Sequence, residues 1–243
     1  MKYQKLISIM DQKLYQLLFN SSNTEVYLTD FLNAYFHFHG ENRIDRVIIL
    51  ESEEFIKKFD SANRLFIYFI QGNKKYYYEI KFSKKTNNEE YFDDTFILFT
   101  KYCFSKNKDG KPYLIGKIIL NMKKKLEKTP IIHYSLQNKM LDSFSENLDI
   151  HILFLSTLKK ILETKSYYEL NLFERWILLL QANTIEEGRK ICMKQDCMNL
   201  FLKSWIHNSK RLQYENLKSF KEEINFYLLE KKELEVKRKI AIR

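Results

Sequence analysis

Glu79 and Lys81, in the segment YEIK, form the pair of residues with the clearest chemical potential in this sequence. Residues two positions apart on a β-strand point to the same side, so the carboxylate and the ammonium group would project together. Metal-assisted hydrolysis uses such a pair: carboxylates hold a divalent cation that lowers the pKa of its bound water, and a lysine stands beside that water. A second carboxylate is also needed, because one alone rarely holds Mg²⁺ tightly.

A β-hairpin over residues 64–82 is predicted to position this pair. Gly72-Asn73 can form a tight turn, and β-branched or aromatic residues flank it on both sides. A turn that is symmetric about these two residues places Phe66 opposite Glu79. The other face of the hairpin is then predicted to belong to the core, with Leu65, Ile67, Phe69, Tyr76, Tyr78, Ile80 and Phe82.

Length and composition indicate a folded, basic protein. A chain of 243 residues with 45% hydrophobic content suits one large domain or two small ones. The net charge of +10 implies affinity for polyanions, although charge alone does not choose between nucleic acid and an acidic membrane. Three cysteines form neither an even disulfide framework nor a zinc spacing, and no window approaches 18 apolar residues. We therefore expect a cytoplasmic protein without a membrane segment.

Hydrophobic periodicity predicts an α/β core followed by helices alone. Helices are expected at 5–19, 24–34 and 91–104, and strands at 47–50, 64–70, 76–82, 113–121, 131–136 and 149–155. A helix between strands predicts a crossover onto the same sheet. Further helices are expected at 171–182, from 184, at 195–207 and at 212–239. The change of composition divides the chain into a core at 1–160 and a helical extension at 161–243.

Two further groups of residues carry a functional and a structural interpretation. Lys123, Lys124, Lys125 and Lys128 follow a predicted strand, where lysines can contact a phosphate backbone or simply face solvent. His37 and His39 share one face of FHFHG as a metal pair would, but no third ligand lies nearby in the sequence. A polar edge is the better interpretation of the two histidines.

Taken in order, the motifs of this chain resemble the recombination-promoting nuclease and transposase family, a branch of the PD-(D/E)XK nucleases. The matching segments are DQKLYQLLF from Asp11, FLNA at 31–34, YEIK at 78–81, GKPY at 110–113, the isoleucine strand at 115–120, IHILFL from Ile150 and ERWILLL from Glu174. The resemblance implies a restriction-endonuclease-like mixed sheet flanked by helices, DNA as substrate, and Mg²⁺ or Mn²⁺ as cofactor. It also implies a recombination or mobile-element setting.

The sequence departs from the family pattern at the metal site. Family members carry an aspartate that faces the glutamate, but here that place belongs to Phe66, or to Leu65 if the turn is odd. The resemblance therefore implies Glu79 and Asp60 as metal ligands, with Lys81 as the catalytic lysine. Asp60 can reach Glu79 only if the chain bends at 61–63, and Asp11 is the alternative carboxylate.

Two further features of the family pattern are missing. The arginine expected after the acidic strand is absent from YFDDT at 91–95, and LST at 155–157 replaces the usual Glu-Leu of the later strand.

Three functions stay open at this point. The chain could be a metal-dependent DNA endonuclease, or a catalytically inactive DNA-binding or assembly protein on the same fold, and a homo-oligomer is compatible with either. A helical scaffold that binds a partner protein through Trp176 or Trp205 is the third hypothesis. Tryptophans at helix centres are more often part of the core.

Overall fold

A six-stranded mixed sheet forms the centre of the protein in a computed structural model that describes residues 5–19, 21–50, 63–84, 93–106, 114–122, 129–137 and 147–241. The strands are β1 (Val47–Ile49), β2 (Arg64–Gln71), β3 (Lys74–Ser83), β4 (Leu114–Asn121), β5 (Ile131–Gln137) and β6 (Asn147–Phe154). They are ordered β1-β2-β3-β4-β6-β5 across the sheet. The α/β class predicted from the sequence is confirmed.

Seven α-helices are found among the described residues. They are α1 (Gln12–Phe19), α2 (Thr24–Tyr35), α3 (Asp94–Lys106), α4 (Leu155–Leu162), α5 (Leu172–Leu179), α6 (Ile185–Cys192) and α7 (Asp196–Ala241). Polar residues cap the N-terminal ends of α5 and α6. Asn171 forms a reciprocal capping box with Glu174 at the start of α5, and Thr184 caps α6.

The hairpin of β2 and β3 has the predicted register. Phe66 lies opposite Glu79 in an antiparallel ladder, and β1 adds to β2 as the third strand of a meander. Gly72 turns the chain with a φ of +57°, a left-handed conformation that glycine adopts without steric cost. Because the register is set by this turn, every side chain of β3 has a defined face.

The connection from β3 through α3 to β4 is the predicted crossover, since β3 and β4 run parallel. β6 continues the parallel arrangement beside β4, and β5 closes the edge of the sheet as an antiparallel partner of β6. The two later strands therefore widen the sheet, as predicted. The carboxyl ends of β3, β4 and β6 meet at one edge, where Ser83, Asn121 and Phe154 are aligned.

Each face of the sheet has its own hydrophobic core. The larger core packs Tyr78, Ile80 and Phe82 of β3 against α1, α2 and the helices after residue 155. The smaller core packs Phe66 against Phe99 of α3 and includes alternate residues of β4 and β6. The face of β3 that carries Glu79 is therefore covered by α3 rather than open to solvent.

The largest differences from the sequence-based expectation lie in the first and the last helix. The first helix begins at Gln12 instead of residue 5, because Lys5 pairs in a β-bridge with Thr184. The expected separate helices at 195–207 and 212–239 are one continuous helix, α7. The intervening residues contain no proline or glycine to end it.

The larger core joins both sides of the predicted boundary at residue 160. Trp176 packs against Phe31 and donates a hydrogen bond from its indole nitrogen to Asp30 at 2.8 Å. Trp205 donates to the carbonyl of Ile7 at 2.9 Å. Both tryptophans are thus core residues, while the division into two domains stays a prediction. None of the described helices combines the length and the apolar character needed to cross a bilayer.

Candidate functional site

Five side chains of opposite charge meet between the sheet and α3, and we call them the charged cluster. They are Arg64, Glu79, Lys81, Asp93 and Lys117. Strand alternation explains why four of them meet: Arg64 pairs with Lys81 across the hairpin, and Glu79 pairs with Lys117 between β3 and β4. Glu79 and Lys81 thus share a face, as the sequence predicted.

Asp93 supplies the second carboxylate of this cluster. It lies directly before α3, where its Oδ1 accepts a hydrogen bond of 3.0 Å from the backbone N–H of Phe96 and so caps the helix. Its Oδ2 accepts from Lys81 Nζ at 3.1 Å and from Lys117 Nζ at 3.2 Å. A helix-capping position therefore fixes this carboxylate above the pair that the sequence singled out.

Arg64 and Lys117 each bridge the two carboxylates. Arg64 Nη1 lies 2.8 Å from Glu79 Oε1 and 3.1 Å from Asp93 Oδ1. Lys117 Nζ lies 3.3 Å from Glu79 Oε2 and 3.2 Å from Asp93 Oδ2. The ammonium group of Lys117 also lies 5.1 Å from the centroid of the Phe96 ring, a cation–π distance.

The charged cluster is closed at its base and partly open at its rim. The side chains of Glu79 and Lys117 are fully buried, whereas that of Asp93 is 20% exposed. The buried Oε2 of Glu79 makes no hydrogen bond to the described residues, although Lys117 is within ion-pair distance. Solvent therefore reaches the cluster mainly at Asp93, whereas the side chains of Arg64 and Lys81 are only 13% and 11% exposed.

Burial disfavours the charged forms of Glu79 and Lys117, at the base of the cluster. Desolvation raises the pKa of Glu79, and the positive charges of Lys117 and Arg64 offset part of that rise. Desolvation likewise lowers the pKa of Lys117. For Asp93, burial alone would raise the pKa, but the hydrogen bond from Arg64 and the charge of Lys117 outweigh it and hold the pKa well below 3.8. Asp93 is therefore the stable anion of the cluster.

The charged cluster as it stands does not fit a divalent cation. Two carboxylates are the ligands that Mg²⁺ needs, but among the described residues three cationic groups already contact them. Arg64 and Lys117 lie between the two carboxylates, where a shared metal ion would have to be. Like charges at 3 Å to 4 Å repel strongly in a buried site, about 4 kcal/mol or more per pair.

The other predicted site residues have different outcomes. Phe66, opposite Glu79, is a buried core residue and offers no ligand atom. Asp60 and the lysines at 123, 124, 125 and 128 lie outside the described residues, so their roles stay predictions. Asp11, the alternative carboxylate, accepts a hydrogen bond from Leu14 N at the start of α1. His37 and His39 are both exposed.

Sequence reasoning missed three members of the charged cluster: Arg64, Asp93 and Lys117. One signal was available for Lys117, because a lysine inside the apolar run LIGKIIL is unusual in a buried strand. Asp93 carried only the signal of a helix cap before an apolar helix. Neither signal says that these residues lie beside Glu79, which depends on the crossover of α3.

A second group of possible metal ligands lies on the opposite face of the sheet. Among the described residues, His133, Asp149 and His151 bring one ligand atom each to within 4.8 Å of one another.

Comparison with known proteins does not extend these observations. No family model, no curated protein and no solved structure matches this chain.

Proposed function

We propose that this protein binds DNA on a PD-(D/E)XK-type fold without cleaving it, as a catalytically inactive relative of the recombination-promoting nucleases. The charged cluster carries the proposal. Phe66 stands where the family carries a metal-binding aspartate, and Arg64 and Lys117 contact both remaining carboxylates. Ion pairs within the chain thus take the place of a carboxylate-bound metal ion.

The order of the elements supports the fold assignment. Two helices, a three-stranded meander, a crossover helix and a parallel strand follow one another, and the Glu-x-Lys pair lies on the third strand. This is the order in which the motifs of the resemblance occur along the sequence.

Charge supports DNA as the partner. The chain has a net charge of +10, and proteins gain affinity for DNA by replacing its counterions with lysine and arginine side chains. The basic run that begins at Lys123 follows Met122, whose backbone N–H bonds to Ser83 O at 2.7 Å. β4 therefore ends beside Ser83 of β3, two residues from Lys81, and the basic run follows this end of the strand in the sequence.

Metal-dependent cleavage of DNA is the second candidate, favoured by one observation. Glu79, Asp93 and Lys81 converge, and two carboxylates with a lysine are the residue types that such a reaction requires. For cleavage, the carboxylates would have to release Arg64 and Lys117 when DNA and Mg²⁺ bind.

An assay with supercoiled plasmid DNA distinguishes the two candidate functions. The protein is incubated with plasmid and Mg²⁺ or Mn²⁺, and binding is measured in parallel by titration at several salt concentrations. We expect binding that weakens steeply with salt, and no nicking above a protein-free control. Failure to bind plasmid at low salt would remove DNA as the partner.

Matched variants decide the role of the cluster if nicking does occur. Glu79→Gln and Lys81→Met change the charge at nearly constant size, and Lys101→Met changes an exposed lysine of α3 as a control. Nicking by the wild type that is lost in the first two variants and kept in the third would establish the endonuclease and overturn the inactive assignment. Circular dichroism of each variant shows whether it is folded.

A further inference from the structure

His133 and His151 face each other across the edge of the sheet. They are directly opposed in the antiparallel ladder of β5 and β6, and their rings stack with centroids 4.3 Å apart. Asp149 precedes His151 by two residues and therefore projects from the same face of β6. One of its oxygens, Oδ1, lies 3.3 Å from His133 Nε2.

His151 has one ring nitrogen that makes no hydrogen bond to any of the described residues. Its Nδ1 shares a hydrogen bond of 2.7 Å with the hydroxyl of Tyr35, while the buried Nε2 makes no hydrogen bond. His151 is only 9% exposed, so water does not readily compensate for the missing bond. Unpaired buried polar atoms cost free energy, and the nitrogen of a neutral imidazole is the commonest metal ligand in proteins.

From this geometry we propose that His133, Asp149 and His151 form a binding site for Zn²⁺. Two imidazole nitrogens and one carboxylate oxygen are a ligand set that zinc accepts, with the fourth position left to water. Donors about 2.0 to 2.2 Å from a tetrahedral zinc ion are about 3.4 Å apart. The contact between His133 and Asp149 has that spacing, and all three ligand atoms lie within 4.8 Å. Because an imidazole lone pair lies in the plane of its ring, the exposed His133 ring would have to turn out of its stack with His151 to bind the same ion.

Tyr35 completes the site from α2. A metal-bound histidine usually donates its other ring N–H to an oxygen, which fixes the ring and the tautomer. If Nδ1 of His151 donates to the Tyr35 hydroxyl, Nε2 carries the lone pair that binds the metal. The Tyr35 ring also packs edge-on against the His151 ring, at 5.5 Å between centroids. The histidine is thus held in place before any ion arrives.

A zinc ion bound here would link the edge strand of the sheet to the elements packed beside it. β5 is an edge strand, and the ligands join it to β6 and, through Tyr35, to α2. The site faces the larger core, whereas the charged cluster lies on the side of α3. The zinc site is therefore independent of the proposed DNA function.

Zinc binding is tested with protein from which any affinity tag has been removed. The metal-free protein is titrated with ZnCl₂ by calorimetry, and Co²⁺ is used as a spectroscopic substitute that reports the coordination number. We expect one ion per chain, a visible Co²⁺ spectrum of four-coordinate type, and a higher melting temperature with Zn²⁺, because a ligand of the folded state stabilises it.

Variants locate the ion. His133→Ala and Asp149→Asn change side chains that are more accessible than His151, and each should weaken binding at least about 10-fold. Tyr35→Phe should weaken it about 10-fold while leaving all three ligands in place. The double variant His37→Ala/His39→Ala removes two exposed histidines and should bind as the wild type does.

Two results would overturn the zinc site. One is the absence of stoichiometric Zn²⁺ binding to the wild type. The other is binding that is unchanged in His133→Ala and in Asp149→Asn, or that depends on His37 and His39 instead.

Discussion

Lys117 Nζ lies 3.3 Å from Glu79 Oε2, and both side chains are fully buried beneath α3. The parallel register of β3 and β4 places the two residues side by side, and Phe96 covers the ammonium group. A buried pair of this kind gains Coulomb energy that is largely offset by desolvation, so its presence alone does not stabilise the fold. Removing one partner has a much larger effect than removing both.

The first prediction concerns this pair. Lys117→Met should lower the free energy of unfolding by about 3 to 5 kcal/mol, because it leaves Glu79 buried with less compensation. Adding Glu79→Gln should restore at least about 1 kcal/mol, since the two effects are coupled. Urea unfolding of the two single variants and the double variant measures the coupling.

The exposed ion pair of Arg211 and Glu215 serves as the control for this cycle. Arg211→Met should cost less than about 1 kcal/mol, because solvent screens an exposed pair. Equal losses in Lys117→Met and Arg211→Met would contradict the importance of the buried pair.

The second prediction separates the two roles of Asp93. Asp93→Asn keeps the cap of α3 but loses the ion pairs with Arg64, Lys81 and Lys117, so we expect a loss of about 2 kcal/mol. Asp93→Ala also loses the cap and should cost about 1 kcal/mol more. Thermal or chemical unfolding measures both losses. If the two variants were equally stable, Asp93 would not cap the helix.

The third prediction tests the close approach of β3 and β4 at Gly116. A Cβ atom at this position would overlap the ring of Tyr78, far inside the 3.0 Å that real Cβ atoms keep. Gly116→Ala should therefore destabilise the protein by about 1 to 3 kcal/mol, because the buried ring has little room to move. Chemical denaturation measures the loss.

Gly188→Ala provides the matched control for Gly116→Ala. Its Cβ would meet only the end of Leu202, with Cδ1 at 2.8 Å, and a methyl group can rotate away at little cost. A smaller loss of stability is therefore expected than at Gly116. A larger loss at Gly188 would contradict the tight contact between Gly116 and Tyr78.

The fourth prediction is a pH dependence that arises at His151 in the metal-free protein. Burial and the neighbouring charge of His133 lower the pKa of His151 from 6.5 to about 4, while Asp149 partly opposes this shift. Between these pH values the unfolded chain binds a proton that the folded chain does not. Stability should therefore fall as the pH falls from 6.5 toward 4, by up to about 3 kcal/mol.

His151→Gln measures that contribution, with unfolding followed at several pH values in the presence of a chelator. The decrease of stability between pH 6.5 and 4 should be smaller in this variant than in the wild type. His207→Gln changes an exposed histidine of α7 and should keep the wild-type dependence. If the stability of His151→Gln fell with pH as steeply as that of the wild type, other groups would cause the pH dependence.

The fifth prediction concerns the basic run after β4. Changing Lys123, Lys124, Lys125 and Lys128 to Gln together should reduce the slope of log K against log salt by up to about 4, roughly 1 for each lost phosphate contact. Filter binding or anisotropy with one duplex at four salt concentrations measures the slope.

An equal change of charge elsewhere is the control for the lysine run. Lys13, Lys160, Lys203 and Lys210 are exposed on the helices, and changing them to Gln removes the same charge from the helical side. A larger fall of the slope in the helical variant would place the DNA on another surface.

Local pattern was enough to predict most of the elements. The register of the hairpin follows from the Gly72-Asn73 turn, and the crossover between β3 and β4 follows from one amphipathic helix between two strands. The length of α7 was not predicted, because a break was expected between 207 and 212 where no helix-breaking residue exists. No proline or glycine interrupts α7 there. The packing of its first turns and its backbone hydrogen bonds therefore keep these residues helical.

The sequence alone determined which residues share a face of β3, so it identified Glu79 and Lys81 as a pair and excluded Phe66 as a ligand. Only the tertiary structure decided what surrounds that pair. Asp93 is 14 positions after Glu79, and Lys117 is a further 24 positions along the chain, so no local pattern relates them. Their meeting depends on how α3 crosses the sheet, because ion pairs require atoms within about 4 Å and the chain alone does not bring them there.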